Sequence, residues 1–342
     1  MPNISICIPA YNGGQYLEET LTSVLNQTYS DFEVIIIDDQ STDNTLEIAK
    51  TYSDKDNRIY FYQNDKNLGL VENWNKCLEL AKGNWIKFVF QDDLLAPDCL
   101  TQLVTAGEES NCPIVFCKRE LIYTDDCDSE ILKFLQNLPS WESVFGETRY
   151  IAPDDVSTTA THYMALNLFG EPTSVLLSKD CFERFGFFNP DLKQRCDYEY
   201  WIRVGHHTGI ALVHDPLAFF RLHPDSTTSS NKRNKKEITE MGDKLLLLHE
   251  YANSKLYAGF RQVALNQNPP FKVDIELNKY MDWMFMSLYT KDRQGQVNFQ
   301  EVLSQIIENL SNYPRLVKQI RHKKRFFPYL RWLEQNLTWR LK

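Results

Sequence analysis

Two adjacent carboxylates, Asp92 and Asp93, stand at the end of an apolar, β-prone run that begins at Trp85. In open α/β sheets, ligands bind at the carboxyl ends of the strands. A hard divalent cation such as Mg²⁺ or Mn²⁺ prefers oxygen ligands and commonly takes one or two carboxylates together with substrate phosphates. The pair therefore indicates a cation site, although an Asp-Asp pair after a strand is, taken alone, more often a solvated turn.

The first predicted strand ends in a turn that suits the close approach of a ligand, the run PAYNGG from Pro9 to Gly14. One proline and two glycines let the backbone turn sharply and leave room beside it. The turn does not match GxGxxG, and GxxxxGK[ST] occurs nowhere in the chain. Dinucleotide-binding and P-loop folds therefore lose their main support. An ordinary strand–helix turn is the simpler interpretation of this run by itself.

A third polar group follows the second predicted strand, in the sequence DDQS from Asp38 to Ser41. A carboxylate at this position can accept hydrogen bonds from a base N–H or from ribose hydroxyls. Asp39 or Ser41 can equally cap the helix that follows. Two asparagines come next: Asn67 lies before a predicted helix and Asn73 lies within it. Both precede the Asp92–Asp93 pair in the sequence and are further candidate site residues.

Acidic, aromatic and basic residues share a predicted helix from Cys196 to Val204. Residues four apart lie on the same face of a helix, so Asp197 and Trp201 share one face. Glu199 and Arg203 share another, and the simpler interpretation is one ion pair between them. The second interpretation is that Asp197 begins the helix and faces a cleft as a base.

A histidine follows the next predicted strand, which runs from Ala211 to Arg221 and continues into the sequence LHPDS. A lone histidine is usually structural or exposed. Placed after a strand and beside a proposed cation site, His223 becomes a candidate metal ligand.

These polar groups lie at the ends of strands that alternate with helices. Strand-like patterns occur at 4–10, 33–39, 58–63, 85–90 and 114–117, with helical periodicity between most of them. Such alternation predicts an α/β fold with a doubly wound, mainly parallel sheet. The stretch 124–161 is polar and contains Pro139 and Pro153, so loops and short helices are expected there.

The chain changes character near residue 231. Beyond it the pattern is helical, with predicted helices at 235–258, 277–289 and 299–310. A polar run from Ser226 to Lys236 supports a boundary. We therefore predict a first domain over 1–230 and a helical C-terminal extension over 231–342.

Composition excludes several classes of protein. With 342 residues and 43% hydrophobic content, the chain can bury a sizeable core. It has no apolar run of about 18 residues and no basic and apolar leader, so neither a transmembrane helix nor a secretory signal is expected. The eight cysteines form no CxxC pair, which predicts reduced cytosolic thiols rather than zinc ligands. A net charge of −9 argues against general nucleic-acid binding.

The last segment, 315–342, has the opposite charge, with nine Lys or Arg residues and one acid, Glu334. It also contains five aromatic residues, Phe326, Phe327, Tyr329, Trp332 and Trp339. A basic, aromatic segment can lie on an anionic membrane with its aromatic rings at the headgroup level. The alternative is a helix packed on the acidic first domain, with its cations solvated or paired. We predict a cytoplasmic protein that is peripheral at the inner face of the cell membrane through 315–342.

Taken in order, these segments resemble the signature of family 2 glycosyltransferases, which use nucleotide sugars and have the GT-A fold. The opening SICIPAYNGGQYLEETLTSVLNQTYSDFEVIIIDDQSTDNT is similar to the family's first motif. The segments that follow are similar to later motifs in the family's order: NLGLVENWNKCLELAKGNWIKFVFQDDLLAPDCL, CDYEYWIRV and FFRLHPDSTTSS. The resemblance covers about residues 3–230 and rests on the order of the motifs more than on any one of them.

The resemblance implies a role for each group. Asp197 would be the general base that deprotonates the acceptor hydroxyl. Asp93 and His223 would hold Mn²⁺ or Mg²⁺, which would neutralise charge on the leaving nucleoside diphosphate, with Asp92 beside them on the metal or the ribose. The nucleotide diphosphate sugar donor would be bound by Pro9, Ala10, Tyr11, Asn12, Asp39, Ser41, Asn67, Asn73, Asp92 and Arg221. The implied reaction is a single displacement with inversion, onto a glycan or lipid-linked acceptor in the synthesis of a surface polysaccharide.

Two positions depart from the family's pattern. Its acidic motif is DxDD, and Phe90 stands where the first aspartate would be, so contacts made there must come from elsewhere. The acid before the base is replaced by Cys196, and Asp191 and Glu199 are alternative bases. Two other classes stay open. One is a nucleotidyltransferase, which would usually carry a basic residue in the Gly-rich loop. The other is a sugar-nucleotide-binding protein of the same fold without activity.

Overall fold

The structure of the protein, a computed structural model, describes residues 2–164, 166–226 and 237–337, without the side chains of 237–238 and 326–337. The chain divides into two compact units, Met1–Pro190 with Cys196–Asn234, and Asp191–Arg195 with Lys235–Lys342. The predicted boundary at 230/231 falls within 227–236, which lies outside the described residues. The segment Asp191–Arg195, which the sequence pattern places in the first domain, belongs to the second unit.

The first unit is built on a nine-stranded sheet with helices around it. Its strands are β1 (Ile4–Ala10), β2 (Phe32–Asp38), β3 (Ile59–Gln63), β4 (Trp85–Phe88), β5 (Leu94–Leu95), β6 (Ile114–Tyr123), β7 (Tyr150–Ile151), β8 (Val175–Ser178) and β9 (Ile210–Leu222). Its helices are α1 (Leu17–Leu25), α2 (Thr45–Ser53), α3 (Leu70–Leu80), α4 (Cys99–Ser110), α5 (Ser129–Gln136), α6 (Trp141–Phe145), α7 (Pro153–His162), α8 (Asp180–Phe185) and α9 (Cys196–Thr208). A 3₁₀ turn, Pro172–Ser174, precedes β8.

The strand order is β3-β2-β1-β4-β8-β6-β9-β5, with β7 also paired to β9. β1 pairs in parallel with both β2 and β4, and β2 pairs in parallel with β3, which gives a four-stranded parallel half. β8 is antiparallel to β4 and to β6, whereas β6 and β9 are parallel. The α/β prediction is confirmed. The sheet is mixed, because β8 runs against both of its neighbours and because β5 and β7 are antiparallel to β9.

The central strands are apolar because helices cover both faces of the sheet. All seven residues of β1 and all seven of β2 are buried. In their register, Ala10 lies beside Asp38, so the two strands end at the same edge of the sheet. This edge carries the candidate site.

Strand β4 is shorter than the sequence predicts and ends at Phe88 rather than Phe90. The N–H of Val89 still donates to Cys7 O at 3.0 Å. The ring of Phe90, however, packs on Trp74, with ring centroids 5.1 Å apart. The acid pair therefore follows in a turn beyond the sheet and not at the last position of a strand.

The second unit is helical, with α10 (Glu237–Asn253), α11 (Ala258–Asn266), α12 (Val273–Arg293), α13 (Phe299–Asn309) and α14 (Pro314–Leu337). The run Leu245–Leu248 is at most 1% exposed and forms part of its core. The predicted helix 235–258 is broken after Asn253, where Ser254 caps a 3₁₀ turn. Buried Asp243 accepts hydrogen bonds from the backbone N–H groups of Lys193–Arg195 at 2.6–3.1 Å, which fixes that segment in this unit.

The first half of α14 packs inside the second unit. Leu316 and Ile320 are fully buried. Lys323 Nζ donates to Asn278 O at 2.9 Å and pairs with Asp282 at 2.5 Å, so one cation of the tail is paired within the second unit. Packing of the tail on the first domain stays a prediction. The tail's aromatic side chains lie outside the described residues. Among the helices that the structure describes, none is long and apolar enough to cross a membrane.

Candidate active site

The turn after β1 is held by side chains that follow β2. Three successive N–H groups of the turn find side-chain acceptors: Asn12 donates to Ser41 Oγ (2.8 Å), Gly13 to Thr45 Oγ1 (2.8 Å) and Gly14 to Asp43 Oδ2 (2.9 Å). Asn12 has a positive φ of 51°. The residue at the N-cap position of α2 is Asn44, not Asp39 or Ser41. The Ser41 hydroxyl therefore fixes the turn and does not cap the helix.

Tyr11 presents an exposed ring on a fixed backbone. Its side chain is 49% exposed. Its N–H donates to Gln91 Oε1 at 2.7 Å, and its carbonyl accepts from Gln91 Nε2 at 3.0 Å. Pro9 and Ala10 are buried in the end of β1 beneath it. An exposed aromatic ring in this position is suited to stack on a flat ligand such as a nucleotide base.

Asp39 lies at the same edge of the sheet but is turned into the protein, where it is only 3% exposed. One carboxylate oxygen accepts hydrogen bonds from Asn64 Nδ2 and from Leu68 N, both at 2.8 Å. The other oxygen accepts from Gly69 N at 2.8 Å. In this structure Asp39 thus fixes the loop 64–69, and its contact with a base or a ribose stays a prediction.

Asn67 and Asn73 link the same loop to the end of β2. Asn67 Nδ2 donates to Asp39 O at 2.9 Å. Asn73 Nδ2 donates to Ile37 O at 3.2 Å, and its Oδ1 accepts from Asn64 Nδ2 at 3.0 Å. Both asparagines therefore support the loop 64–69, and Asn73, which is only 4% exposed, does so from inside α3.

Replacing Asp39 by asparagine should lower the free energy of unfolding by about 2 kcal/mol, because an amide NH₂ would face N–H groups that now bind a buried carboxylate. Urea unfolding of the full-length variant measures the effect. Asp65→Asn is the matched control, since Asp65 lies exposed in the same loop. Equal unfolding midpoints for the two variants would contradict the role of Asp39.

Of the two acids, Asp92 and not Asp93 contacts His223, which was predicted to share the cation with Asp93. His223 Nε2 lies 3.0 Å from Asp92 Oδ2. The side chains of His223 and Asp92 are 10% and 19% exposed, so solvent reaches both. No three His, Cys, Asp or Glu side chains gather as a cation site in the chain as far as it is described. A cation at this pair would therefore take its other ligands from substrate and water.

Asp93 is a buried link and not an open ligand, with no exposed surface. Its Oδ1 accepts from Arg221 N at 2.9 Å, and its Oδ2 accepts from Thr173 Oγ1 at 2.5 Å. Burial raises the pKa of Asp93 well above its usual range and the neighbouring Asp92 raises it further, against the effect of the two hydrogen bonds. In this structure the carboxylate that solvent reaches is that of Asp92, and the role of Asp93 as the main metal ligand stays a prediction.

Arg221 holds the backbone of the turn that carries Asp92. Its Nε donates to Asp92 O at 2.8 Å and its Nη2 to Glu19 Oε2 at 2.7 Å. The guanidinium lies 4.5 Å from the centre of the Tyr16 ring, which in turn lies 4.8 Å from the centre of the His223 ring. Burial raises the pKa of Tyr16, and the positive charge of Arg221 opposes that shift. Arg221 thus places a cation beside the Asp92–His223 pair.

Asp197 lies in the first turn of α9, as the sequence predicts. Its Oδ2 accepts from Asn167 Nδ2 at 3.0 Å. The same Asn167 amide donates to Gly170 O at 2.9 Å, and Trp201 Nε1 also donates to that carbonyl at 3.1 Å. Asp197 and Trp201 therefore share a face of the helix, and both contact the segment 167–170.

The alternative bases have other partners. Glu199 is 2% exposed and accepts two hydrogen bonds from Arg203, at 3.0 and 2.7 Å, which confirms the predicted ion pair. Asp191 accepts from Asn312 Nδ2 at 3.0 Å and belongs to the second unit. Asp197 is hydrogen-bonded to Asn167, and Asn167 belongs to the segment 167–173, whose other end binds Asp93 through Thr173.

One segment connects the candidate base with the acid pair. Asn167 binds Asp197, and six residues later Thr173 binds Asp93. Fully buried Lys87 donates from β4 to the carbonyl of Thr173 and, at 3.2 Å, to that of Val175, which fixes the second end of the segment. The sequence analysis missed Asn167, Thr173 and Gln91. For Gln91 the signal was its place beside the acids, whereas nothing periodic marks the other two.

Comparison with known proteins identifies the family. The profile described as Glycosyl transferase family 2 matches residues 5–170. The uncharacterized protein MT1568 of Mycobacterium tuberculosis (strain CDC 1551 / Oshkosh) is 32% identical over 231 residues, which is 67% of this chain and 70% of that protein. TuaG of Bacillus subtilis (strain 168), a glycosyltransferase whose name assigns it provisionally to teichuronic acid biosynthesis, is 36% identical over 124 residues, 36% of this chain and 49% of TuaG.

Solved structures share the fold. S. aureus TarS 1–349 in complex with UDP-GlcNAc has a TM-score of 0.59 at 19% identity, over 93% of this chain and 82% of that chain. The mannosyltransferase PcManGT from Pyrobaculum calidifontis, in complex with GDP-Man and Mn²⁺, has a TM-score of 0.54 at 14% identity, over 94% and 86%. The fold is that of a GT-A glycosyltransferase. By sequence, the chain belongs to glycosyl transferase family 2.

Proposed function

We propose that this glycosyltransferase moves a sugar from a nucleoside diphosphate sugar to a hydroxyl of a glycan or lipid-linked acceptor, with inversion at the anomeric carbon. One observation carries the proposal: the segment 167–173 binds Asp197 at one end and, at the other, Asp93, the neighbour of the Asp92–His223 pair. A donor diphosphate and an acceptor hydroxyl would then meet on opposite sides of one sugar ring.

The donor nucleotide would lie at the ends of β1 and β2. The exposed Tyr11 ring would stack on the base, and the supported loop 64–69 would lie beside the ribose with Asn67. Asn12 and Ser41 would act by holding the turn that carries Tyr11. TarS and PcManGT were solved with UDP-GlcNAc and GDP-Man, which supports a nucleotide sugar as the donor here.

The Asp92–His223 pair fits a divalent cation such as Mn²⁺. A carboxylate oxygen and an imidazole nitrogen lie 3.0 Å apart and both are reached by solvent, so both could turn to one ion. When bound, the cation would act as a Lewis acid on the charge of the leaving diphosphate. Arg221 would keep the turn of Asp92 in place and add a second positive charge nearby. The Mn²⁺ in the PcManGT complex supports this assignment.

Asp197 would accept the proton of the acceptor hydroxyl while that oxygen attacks the anomeric carbon. The bond between the anomeric carbon and the diphosphate oxygen breaks in the same displacement, and nucleoside diphosphate leaves with the bonding electrons. Attack from the face opposite the leaving group inverts the anomeric configuration. Asn167 orients the carboxylate for this step, because it donates a hydrogen bond to Oδ2.

The acceptor would be a growing surface polysaccharide or its lipid-linked precursor. The name of TuaG supports the polysaccharide. The nine cations of 315–342 would place the protein at the inner face of the membrane, where a lipid-linked acceptor is presented. Lys323, one of the nine, pairs with Asp282 and would add least to this contact.

The test is a screen of nucleotide sugars against the full-length protein with Mn²⁺. A donor present at a hundred times its Kd should raise the unfolding free energy by about 2.7 kcal/mol. Release of nucleoside diphosphate, with an α-linked donor giving a β-linked product by NMR, supports inverting transfer. Release of pyrophosphate would instead identify a nucleotidyltransferase. Binding without hydrolysis or transfer of any donor would identify a binding protein without activity.

A further inference from the structure

The carboxamide of Gln91 holds the Tyr11 backbone at two points. Tyr11 N donates to Oε1 at 2.7 Å and Nε2 donates to Tyr11 O at 3.0 Å, although the residues are 80 positions apart. A two-point contact between planar groups fixes direction as well as distance, which a single hydrogen bond does not. The backbone position of Tyr11 is therefore set from the side of β4.

The glycine in the turn gives a second, independent sign of this contact. A Cβ placed on Gly13 would overlap the side-chain atoms of Gln91. Gly13, which has no side chain, therefore leaves the space that the Gln91 carboxamide occupies. The other anchors of the turn, Ser41, Thr45 and Asp43, all come from the side of β2. Gln91 holds the opposite side.

The residue after Gln91 is Asp92, whose carboxylate meets His223. The residue before it is Phe90, which packs on Trp74 and takes the place of an acid expected from the family's pattern. Gln91 is therefore the side chain that ties the proposed base-binding turn to the proposed cation-binding turn. A donor nucleotide spans both turns, because its base and its diphosphate are parts of one molecule.

We infer that Gln91 is a positioning residue that fixes the Tyr11 turn relative to Asp92, so that binding of the base and binding of the cation strengthen each other. This inference rests on the proposed function. Coupling of this kind is reciprocal: Mn²⁺ raises the affinity for nucleoside diphosphate by the same factor by which the nucleotide raises the affinity for Mn²⁺. Loss of the two hydrogen bonds should let the turns move independently and reduce that factor.

The experiment measures binding of UDP, and of GDP in parallel, by calorimetry with and without Mn²⁺ on the full-length protein. In Gln91→Ala, the factor by which Mn²⁺ strengthens binding should fall about tenfold, the amount expected for the loss of two neutral hydrogen bonds. The donor KM should rise by a similar factor, with a smaller change in kcat. Gln91→Glu keeps an acceptor for Tyr11 N and loses the donor to Tyr11 O. The factor by which Mn²⁺ strengthens nucleotide binding in this variant should lie between those of the wild type and Gln91→Ala.

Gln27→Ala is the matched control. Gln27 also binds backbone groups through its carboxamide, with Nε2 to Ala96 O at 2.7 Å and Leu100 N to Oε1 at 3.1 Å, but it does not touch the Tyr11 turn. Gln27→Ala should lower the free energy of unfolding, and Mn²⁺ should strengthen nucleotide binding by the same factor as in the wild type. Equal factors in Gln91→Ala and Gln27→Ala, with a wild-type protein that binds, would overturn the inference alone. A wild-type protein that binds neither nucleotide with Mn²⁺ would overturn the proposed function and the inference with it.

Discussion

Replacing Asp197 by asparagine should slow sugar transfer about a thousandfold and leave donor affinity close to that of the wild type, because a general base commonly contributes ~10² to 10⁴ in rate. Asparagine keeps the size of the side chain and can still accept the hydrogen bond from Tyr198 N, which is 2.7 Å from Oδ1. It cannot take a proton from the acceptor hydroxyl. Initial rates at saturating acceptor, together with calorimetric donor binding, separate the two effects.

Asp154→Asn is the control for this substitution, since Asp154 is an exposed acid in the first turn of another helix, α7. Asn167→Ala tests the same site from its partner: Asp197 keeps its carboxylate but loses the hydrogen bond that orients it, so transfer should slow by a smaller factor than in Asp197→Asn. Near wild-type transfer in Asp197→Asn would place the base elsewhere.

The strands of the first unit and the polar groups at their ends could be predicted, because both depend on residues that are close together in the sequence. The run Phe32–Asp38 is apolar because helices cover both faces of the sheet. The residues that follow such a strand lie at the edge of the sheet, where polar side chains can meet a ligand. The ion pair of Glu199 and Arg203 was predictable for the same reason, because helical spacing alone brings the two side chains together.

The choice between adjacent acids was not predictable, because it depends on groups far along the chain. Asp93 is buried only because Thr173 and Arg221 N lie where they can bind its two oxygens, and these partners are 80 and 128 positions away. Asp92 is left facing His223 by the same turn. Asp39 is a similar case, since the loop that binds its carboxylate follows a later strand. Periodicity contains no information about such contacts.

The same reasoning explains why Gln91 and Asn167 escaped the sequence analysis. Neither is a type of residue that transfers protons or binds a hard cation strongly, and each acts by holding another group in place. Gln91 binds backbone atoms of Tyr11, which no side-chain pattern can indicate. Asn167 lies in an irregular stretch and meets Asp197 only after α9 has packed. Positioning residues become visible only with the tertiary structure.

Replacing Asp92 by asparagine should raise the Mn²⁺ concentration needed for half-maximal transfer at least tenfold and lower the maximal rate about a hundredfold, because an amide oxygen lacks the charge of the ligand it replaces. His223→Ala should raise the Mn²⁺ requirement by a smaller factor, since the carboxylate would remain. Titration of initial rates with Mn²⁺ after treatment with a chelator gives both values.

Asp93→Asn separates the two acids and tests which of them holds the cation. The amide oxygen can still accept from Arg221 N, and the amide NH₂ can donate to Thr173 Oγ1 if that hydroxyl turns. In the native protein, burial raises the pKa of Asp93 and the neighbouring Asp92 raises it further, so an uncharged side chain suits this position. We therefore expect it to change the Mn²⁺ requirement far less than Asp92→Asn does. The reverse order of effects would mean that the turn opens when the donor binds and presents Asp93 to the cation, because Asp93 cannot reach an ion while both of its oxygens are bound inside the protein.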